Sequence, residues 1–269
     1  MPALPSVAIL GVGAMGEALL SGLIAAGWDR EAISLCIRRP ESVDDLVARY
    51  GCPTFLDPVE AVAGRQVVVV AVKPGDVQGL LDRLEKTIDP HQIVLSLAAG
   101  VETELYEKAL GQVAVVRAMP NTPALVGEGV TAIAPGRWAS VDGLELAEAV
   151  LGAVGEVRVM DEKLLDAVTA VSGTGPAYVF LLAEALTEAA VREGLPRDIA
   201  ERFVHKTIRG AGHLLTETSA GPTRLRAQVT SPGGTTAAAV HVLEERGFRA
   251  LVEDAVRAAA RRSRELGQV

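Results

Sequence analysis

The sequence has few aromatic residues and few cysteines. Phe, Trp and Tyr make up 3% of the 269 residues, too few for the stacking platforms on which proteins bind single-stranded nucleic acid. The two cysteines, Cys36 and Cys52, have neither metal-ligand spacing nor the pattern of a disulfide framework. The net charge of -8 also leaves no basic excess for general nucleic-acid binding. We therefore expect no nucleic-acid partner and no bound metal.

Signals for membrane insertion and export are lacking too. No apolar run reaches the roughly 18 residues that a membrane-spanning helix requires. The N-terminal stretch MPALPSVAIL has no basic region and enters a strand-like run almost at once, which is unlike a signal peptide. Hydrophobic residues make up 49% of the chain, enough for a sizeable core. We expect a cytoplasmic protein without a membrane partner.

The residue pattern changes near Met160. Before it, β-branched runs alternate with helical stretches, which is typical of a parallel sheet covered on both faces. The predicted strands are 7–10, 33–37, 66–72, 93–97, 113–117, 130–134 and 156–160. After Met160 only helical patterns occur, at 161–171, 176–193, 197–218, 235–246 and 248–266. We predict an α/β Rossmann domain with a mostly parallel, doubly wound sheet at 1–160, then an all-α domain at 161–269 that packs against a partner subunit.

The first predicted strand runs directly into a glycine fingerprint. In VAILGVGAMGEALL, Gly11 allows a tight turn, Gly13 lets the backbone approach a pyrophosphate, and Gly16 permits close helix packing. The N-terminus of the following helix would face the phosphates. The pattern predicts dinucleotide binding, with a purely structural turn as the alternative.

Two arginines follow the second predicted strand. An NAD-specific site usually has an acidic residue there for the ribose 2′-hydroxyl, whereas this chain has Arg38 and Arg39. Guanidinium groups suit a 2′-phosphate, because they bind phosphate through charge and paired hydrogen bonds. The alternative is a pair of solvated surface charges. The predicted cofactor is NADPH, with NADH as the second choice.

A loop rich in hydroxyl groups precedes one of the C-terminal helices. Residues 230–236, TSPGGTT, hold more turn residues and hydroxyls than a connection needs. Gly233 and Gly234 leave backbone N–H groups uncovered, and the helix from Thr235 adds the positive end of its dipole. The loop is suited to a small anion such as a carboxylate. The alternative is that the hydroxyls of Thr235 and Thr236 cap the helix.

Six motifs, in order along nearly the whole chain, resemble those of the pyrroline-5-carboxylate reductase family. They are GVGAMG at 11–16, AVKP at 71–74, AAGV at 98–101, MPNTP at 119–123, SGTGPAY at 172–178 and VTSPGGTT at 229–236. The resemblance implies a Rossmann domain followed by a helical dimerisation domain. It also implies NAD(P)H-dependent reduction of 1-pyrroline-5-carboxylate to L-proline, the last step of proline biosynthesis, by a homodimer or a decamer built from dimers.

The resemblance also assigns residues to the site. Those near the cofactor, besides the fingerprint glycines and the two arginines, are Val12, Ala14, Met15, Val72, Lys73, Pro74, Ala99 and Gln228. Those near the substrate are Glu162, Ser231, Gly233, Gly234, Thr235 and Thr236. The chain departs from the family at Asp57-Pro58, where an Asn is common and a ribose or adenine contact is therefore in question.

The implied chemistry is compatible with the residues present. Hydride transfer to a protonated imine needs an oriented nicotinamide, an anchor for the carboxylate and a polar group near the ring nitrogen, but no nucleophile or metal. The catalytic candidates are Thr236, directed at the ring nitrogen, and Lys73, for which a positioning role is the alternative. Asn121 is the candidate polar contact beneath the nicotinamide. Tyr178 is expected to pack at an interface, with a role as proton donor as the alternative.

Two other functions remain open. A β-hydroxyacid dehydrogenase has a similar domain arrangement but usually carries a catalytic lysine in the first long helix of its second domain. The corresponding stretch here, VSGTGPAYVFLLAEAL at 171–186, has no lysine. An NADP-binding sensor without turnover would keep the glycines, yet it has no need of the TSPGGTT loop.

Overall fold

The structure, a computed structural model, describes residues 4–267. This part of the chain divides into two compact units. The first unit consists of two segments of the chain, one up to Thr174 and one from Ala258 onward. The second unit is Gly175–Arg257. The secondary structure changes where the sequence pattern predicts, since the last strand ends at Val159. The compact division falls later, because residues 161–174 and the end of the last helix lie with the sheet.

The first unit is built on one eight-stranded sheet of order β3-β2-β1-β4-β5-β6-β7-β8. The strands are β1 Val7–Leu10, β2 Ile33–Cys36, β3 Thr54–Phe55, β4 Val67–Val70, β5 Ile93–Ser96, β6 Ala114–Met119, β7 Gly129–Pro135 and β8 Gly155–Val159. All neighbours are parallel except β6 and β7. The strand order reverses between β1 and β4, so the predicted mostly parallel, doubly wound sheet is confirmed.

Burial on both faces explains the composition of the central strands. VAIL, ISLC, VVVV and IVLS are buried at every position, because helices cover the sheet above and below. The helices of this part are α1 Ala14–Ala25, α2 Val43–Tyr50, α3 Pro58–Val62, α4 Val77–Leu84, α5 Thr103–Leu110, α6 Val141–Gly152 and α7 Leu165–Val168. A π-helical turn, Thr169–Gly173, follows α7.

The second unit is helical, as predicted. Its helices are α8 Gly175–Arg192, α9 Arg197–Glu217, α10 Pro222–Gln228 and α11 Thr235–Glu245, and α12 Phe248–Leu266 leaves it to end in the first unit. No strand occurs between residues 160 and 267. The short helix α10 was not predicted, because its seven residues, which begin with a proline, carry too little periodicity.

Helix α8 exposes large apolar side chains. Phe180 and Leu181 are 62% and 66% exposed, and Val179 and Leu186 are exposed as well. The helical run Glu162–Arg192 is long and apolar enough to cross a membrane by length and composition, so the expectation that no such run exists was wrong. In the second unit taken alone, this apolar surface is uncovered.

Candidate functional site

A cleft of about 730 Å³ opens in the first unit where β1 and β4 end. Of the predicted residues it brings together Gly11, Val12, Gly13, Arg38, Arg39, Val72 and Lys73. It lies at the switch point of the strand order, the place where open α/β sheets bind dinucleotides. Arg49 and Arg83, which the sequence analysis did not select, also line it.

The three fingerprint glycines have three different surroundings. Gly11 has φ +100°, and a Cβ there would lie 2.9 Å from the backbone carbonyl of Ala71. A Cβ on Gly16 would lie 2.2 Å from the carbonyl oxygen of Gly11. A Cβ on Gly13, directly before α1, would meet nothing within 4 Å. The first and third glycines are therefore required by the fold, whereas the second keeps a space open, which fits a pyrophosphate at the N-terminus of α1.

Alanine at Gly13 and alanine at Gly16 are expected to have opposite effects. Gly16→Ala should lower the free energy of unfolding by about 1–3 kcal/mol or more, because a backbone oxygen must move. Gly13→Ala should leave the melting temperature near wild type and weaken dinucleotide binding roughly tenfold or more, the equivalent of one charge-assisted hydrogen bond. Thermal unfolding and cofactor titration measure the two effects. Unchanged cofactor affinity in Gly13→Ala would argue against the pyrophosphate position.

Four arginines line the cleft: Arg38 and Arg39 follow β2, Arg49 is on α2 and Arg83 is on α4. Arg38 pairs with Asp76 at 3.1 Å, and Arg83 pairs with Asp57 at 2.9 Å. Arg49 lies beside Glu17 of α1 and Asp45. Among the residues that the structure describes, Arg39 has no ion-pair partner. This concentration of guanidinium groups supports a phosphate at the ribose.

The departure at Asp57-Pro58 has a local explanation. The Asp57 carboxylate accepts a hydrogen bond from the backbone N–H of Val59 at 3.1 Å, and Pro58 occupies the first position of α3. The pair is therefore a helix start, with an N-cap and a proline at N1. The Asp57 carboxylate also accepts a bond from Arg83, so it helps to fix an arginine of the cleft.

Cys36 lies in the cleft but is not a nucleophile. Burial raises the pKa of its thiol to about 11. Since the thiolate is the reactive form, the side chain is inert near neutral pH. This agrees with chemistry that uses no covalent intermediate.

The turn after β4 carries the residues predicted on the nicotinamide side. Lys73 precedes a short 3-10 helix, Pro74–Asp76, and its side chain is exposed. It has no ion-pair partner in the described chain. Ala99 follows β5, the next strand in the sheet, and is half-buried. Ala14 and Met15 open helix α1, with Met15 packed against the core.

Asn121, the predicted polar contact beneath the nicotinamide, makes hydrogen bonds within the first unit. Its side-chain carbonyl accepts a bond from the backbone N–H of Val130 at 3.0 Å, and its amide donates to Ser172 Oγ at 3.3 Å. The residue is 8% exposed. Both polar ends are therefore engaged within the fold, and Asn121 shapes the MPNTP turn.

Glu162 is also engaged within the first unit. Its carboxylate accepts hydrogen bonds from the backbone N–H and the hydroxyl of Thr103, each at 2.8 Å, and lies 3.3 Å from the guanidinium of Arg117. The predicted substrate contact of Glu162 stays a prediction, since Oε2 accepts only the bond from the Thr103 hydroxyl and can accept another. The sequence analysis missed Arg117, although a lone arginine inside the apolar strand VAVVRAM was a usable signal.

In the second unit, the TSPGGTT loop leads into α11 without a side-chain cap. The N-cap residue is Gly234, and no side chain bonds to the first N–H groups of the helix. Gly233 has φ +71°, and a Cβ on Gly234 would lie 2.4 Å from Ser231 Oγ. The hydroxyls of Ser231, Thr235 and Thr236 have no hydrogen-bond partner among residues 4–267. The capping alternative therefore finds no support, and the hydroxyls remain available to a ligand.

Gln228 and Tyr178 lie in the same unit. Gln228 is the exposed last residue of α10, two residues before the loop begins. Tyr178 is in the first turn of α8 and is the last residue of the SGTGPAY motif. No group of three or more His, Cys, Asp or Glu residues that suits a metal ion occurs in the described part of the chain.

Two sequence models of protein families match the chain. Residues 162–266 match the model described as pyrroline-5-carboxylate reductase dimerisation. Residues 6–100 match the model described as NADP oxidoreductase coenzyme F420-dependent. The first covers the helical region and the second covers the strands that form the cleft.

Similarity to known proteins covers nearly the whole chain. The chain is 41% identical to the pyrroline-5-carboxylate reductase of Corynebacterium melassecola, covering 98% of this chain and 99% of that protein. It is 43% identical to that of a Synechocystis species, covering 97% of each. Among solved structures, a pyrroline-5-carboxylate reductase from Coxiella burnetii superposes with a TM-score of 0.92 at 37% identity, covering 99% of this chain and 100% of that one. A Plasmodium falciparum pyrroline carboxylate reductase with NADP bound gives 0.89 at 27% identity, covering 98% of both chains.

Proposed function

The chain belongs to the pyrroline-5-carboxylate reductase family, and from that premise we propose how its residues carry out the reaction. It is an NADPH-dependent oxidoreductase that reduces the cyclic imine 1-pyrroline-5-carboxylate to L-proline in proline biosynthesis. The observation that supports the proposed cofactor site most directly is the cleft in which the glycine fingerprint, the arginines after β2 and the turn after β4 meet.

The first unit binds and orients the cofactor, which supplies the hydride when bound. The space beside Gly13 admits the pyrophosphate, and Arg38 and Arg39 hold the 2′-phosphate. The turn containing Val72 and Lys73 faces the nicotinamide half, since β4 lies on the far side of the switch point from β2. Lys73 positions cofactor or substrate there through its exposed ammonium group.

The TSPGGTT loop binds the substrate. Backbone N–H groups at Gly233 and Gly234 and the hydroxyl of Ser231 hold the carboxylate, with the helix dipole of α11 adding to the attraction. The hydroxyl of Thr236 points its dipole at the ring nitrogen and holds the imine in one orientation. The unpartnered hydroxyls and the missing side-chain cap support these roles.

A single assay tests the activity. Purified protein, NADPH and 1-pyrroline-5-carboxylate are mixed, and the nicotinamide absorbance is followed. Oxidation of NADPH that depends on the imine and yields proline is the expected result. Binding without oxidation would favour the sensor, and oxidation only in the presence of a β-keto acid would favour the hydroxyacid dehydrogenase.

We propose that the chain forms a homodimer through the apolar side chains of α8, with a decamer built from five such dimers as the larger assembly. The exposed Phe180 and Leu181 lie in the region that matches the dimerisation family. Large exposed apolar patches of this kind mark association surfaces. A second copy would also cover the apolar run Glu162–Arg192, which supports the proposed cytoplasmic location.

Charged substitutions on α8 are expected to dissociate the assembly. Phe180→Asp combined with Leu181→Asp places two carboxylates in the proposed interface, so light scattering should show monomers with strongly reduced turnover. Glu148→Ala changes an exposed residue of α6, outside the region that matches the dimerisation family, so it serves as the control and should leave the assembly intact. A wild-type monomer with full activity would contradict the proposal.

A further inference from the structure

Arg117 is a buried charge at the carboxyl end of β6. Its side chain is 5% exposed and lies 3.3 Å from Glu162 and 3.8 Å from Asp166. The neighbouring Tyr106 is buried as well, with its hydroxyl 2.6 Å from Ser96 Oγ. One guanidinium thus holds two carboxylates from the segment that follows the sheet.

Glu162 connects Arg117 to the loop after β5. Its two oxygens accept bonds from the N–H and hydroxyl of Thr103, which begins α5. Thr103 is separated by one residue, Glu102, from the AAGV turn at 98–101, which contains Ala99. The position of that turn is therefore set in part by a bond network that ends on Arg117.

Asp166 connects Arg117 to the end of α12. Its carboxylate accepts a bond from Ser263 Oγ at 2.6 Å. The same helix end packs on the AAGV turn, because a Cβ on Gly100 would lie 2.9 Å from the carbonyl oxygen of Ser263 and 3.1 Å from Leu266 Cβ. Both carboxylates held by Arg117 thus hold elements that contact the same turn, one through Thr103 and one through Ser263.

We propose that Arg117 is a positioning residue for hydride transfer. It contacts neither substrate nor cofactor, and it acts by fixing the AAGV turn through Glu162 with Thr103 and through Asp166 with Ser263. The turn follows β5, the neighbour of β4 on the nicotinamide side of the switch point. The inference rests on the proposed function, because it assumes that the nicotinamide half lies at this edge.

The test compares Arg117→Met with Arg117→Lys. Displacing a reactant by about 1 Å can cost on the order of a hundredfold in rate, so kcat of Arg117→Met should fall roughly ten- to a hundredfold. The primary isotope effect with NADPH deuterated at the transferred position should rise, because hydride transfer becomes slower than the other steps. NADPH affinity should stay near wild type, and Arg117→Lys should restore part of kcat.

Two milder variants and a control complete the design. Thr103→Val and Ser263→Ala each remove one hydroxyl of the network while keeping the ion pair, and they should shift kcat and the isotope effect in the same direction by less. If Arg117→Met does not fold, Thr103→Val and Ser263→Ala test the proposal in its place. Arg158→Met breaks the exposed pair with Glu156 on β8 and should change neither quantity.

Two results would overturn the proposal. One is folded variants whose kcat and isotope effect match wild type. The other is a loss of kcat that follows the fraction of folded protein, with the isotope effect unchanged, which would make Arg117 a purely structural residue. If wild-type protein itself does not oxidise NADPH with the imine, the proposed function fails rather than the role of Arg117.

Discussion

Thr236→Val is expected to lower kcat/KM for 1-pyrroline-5-carboxylate about tenfold or more, because a hydrogen bond to a charged group contributes about 1.5–3 kcal/mol. Valine keeps the shape of the side chain and removes only the hydroxyl. That hydroxyl has no partner in the described chain, and the N-cap of α11 is Gly234. The free energy of unfolding and the NADPH affinity should therefore stay close to wild type.

A neighbouring threonine supplies the control. The Thr230 hydroxyl donates to the carbonyl oxygen of Arg226 at 2.6 Å, so it already has an internal partner. Thr230→Val should leave turnover near wild type. If Thr236→Val instead loses about 0.5–2 kcal/mol of stability with turnover unchanged, its hydroxyl is a helix cap and not part of the chemistry.

Replacing both Arg38 and Arg39 by alanine is expected to raise KM for NADPH much more than KM for NADH. Each charge-assisted phosphate contact contributes about 1.5–3 kcal/mol, and about 1.4 kcal/mol corresponds to tenfold. Both side chains are exposed, which places the effect toward the lower end of that range. Steady-state kinetics with the two cofactors measure it, and NADH is the internal control.

The two single variants should lose NADPH affinity to different extents. Arg38 already forms an ion pair with Asp76, whereas Arg39 has no ion-pair partner among the described residues. Arg39→Ala should therefore cost more NADPH affinity than Arg38→Ala. Equal losses with NADPH and NADH would reject the assignment of the arginines to the 2′-phosphate.

The fold was predictable where one short pattern decides it. VVVV at 67–70 is buried on both faces, so its composition alone indicates a central parallel strand. Thr54–Phe55 escaped prediction because two residues carry no periodicity. The antiparallel direction of β7 follows from the connection between Met119 and Gly129, which is too short for the crossover that a parallel neighbour needs, and the sequence analysis did not use this signal.

The residues of the site also differ in how well the sequence predicts their surroundings. The fingerprint glycines are readable because their function depends on neighbours within a few residues. The surroundings of Glu162 are not, because its partners Thr103 and Arg117 lie 59 and 45 residues away along the chain. A family resemblance can place Glu162 near a substrate, but only the coordinates reveal that it binds Thr103 and Arg117.

The return of the chain to the first unit at Ala258 affects how the protein is made on the ribosome. Domains generally fold as units during synthesis, in the order in which they emerge. Here the sheet emerges early, but the residue that bonds to Asp166, Ser263, is translated after the whole of the second unit. In the nascent first unit, Asp166 therefore lacks its bond to Ser263 until the second unit has been translated.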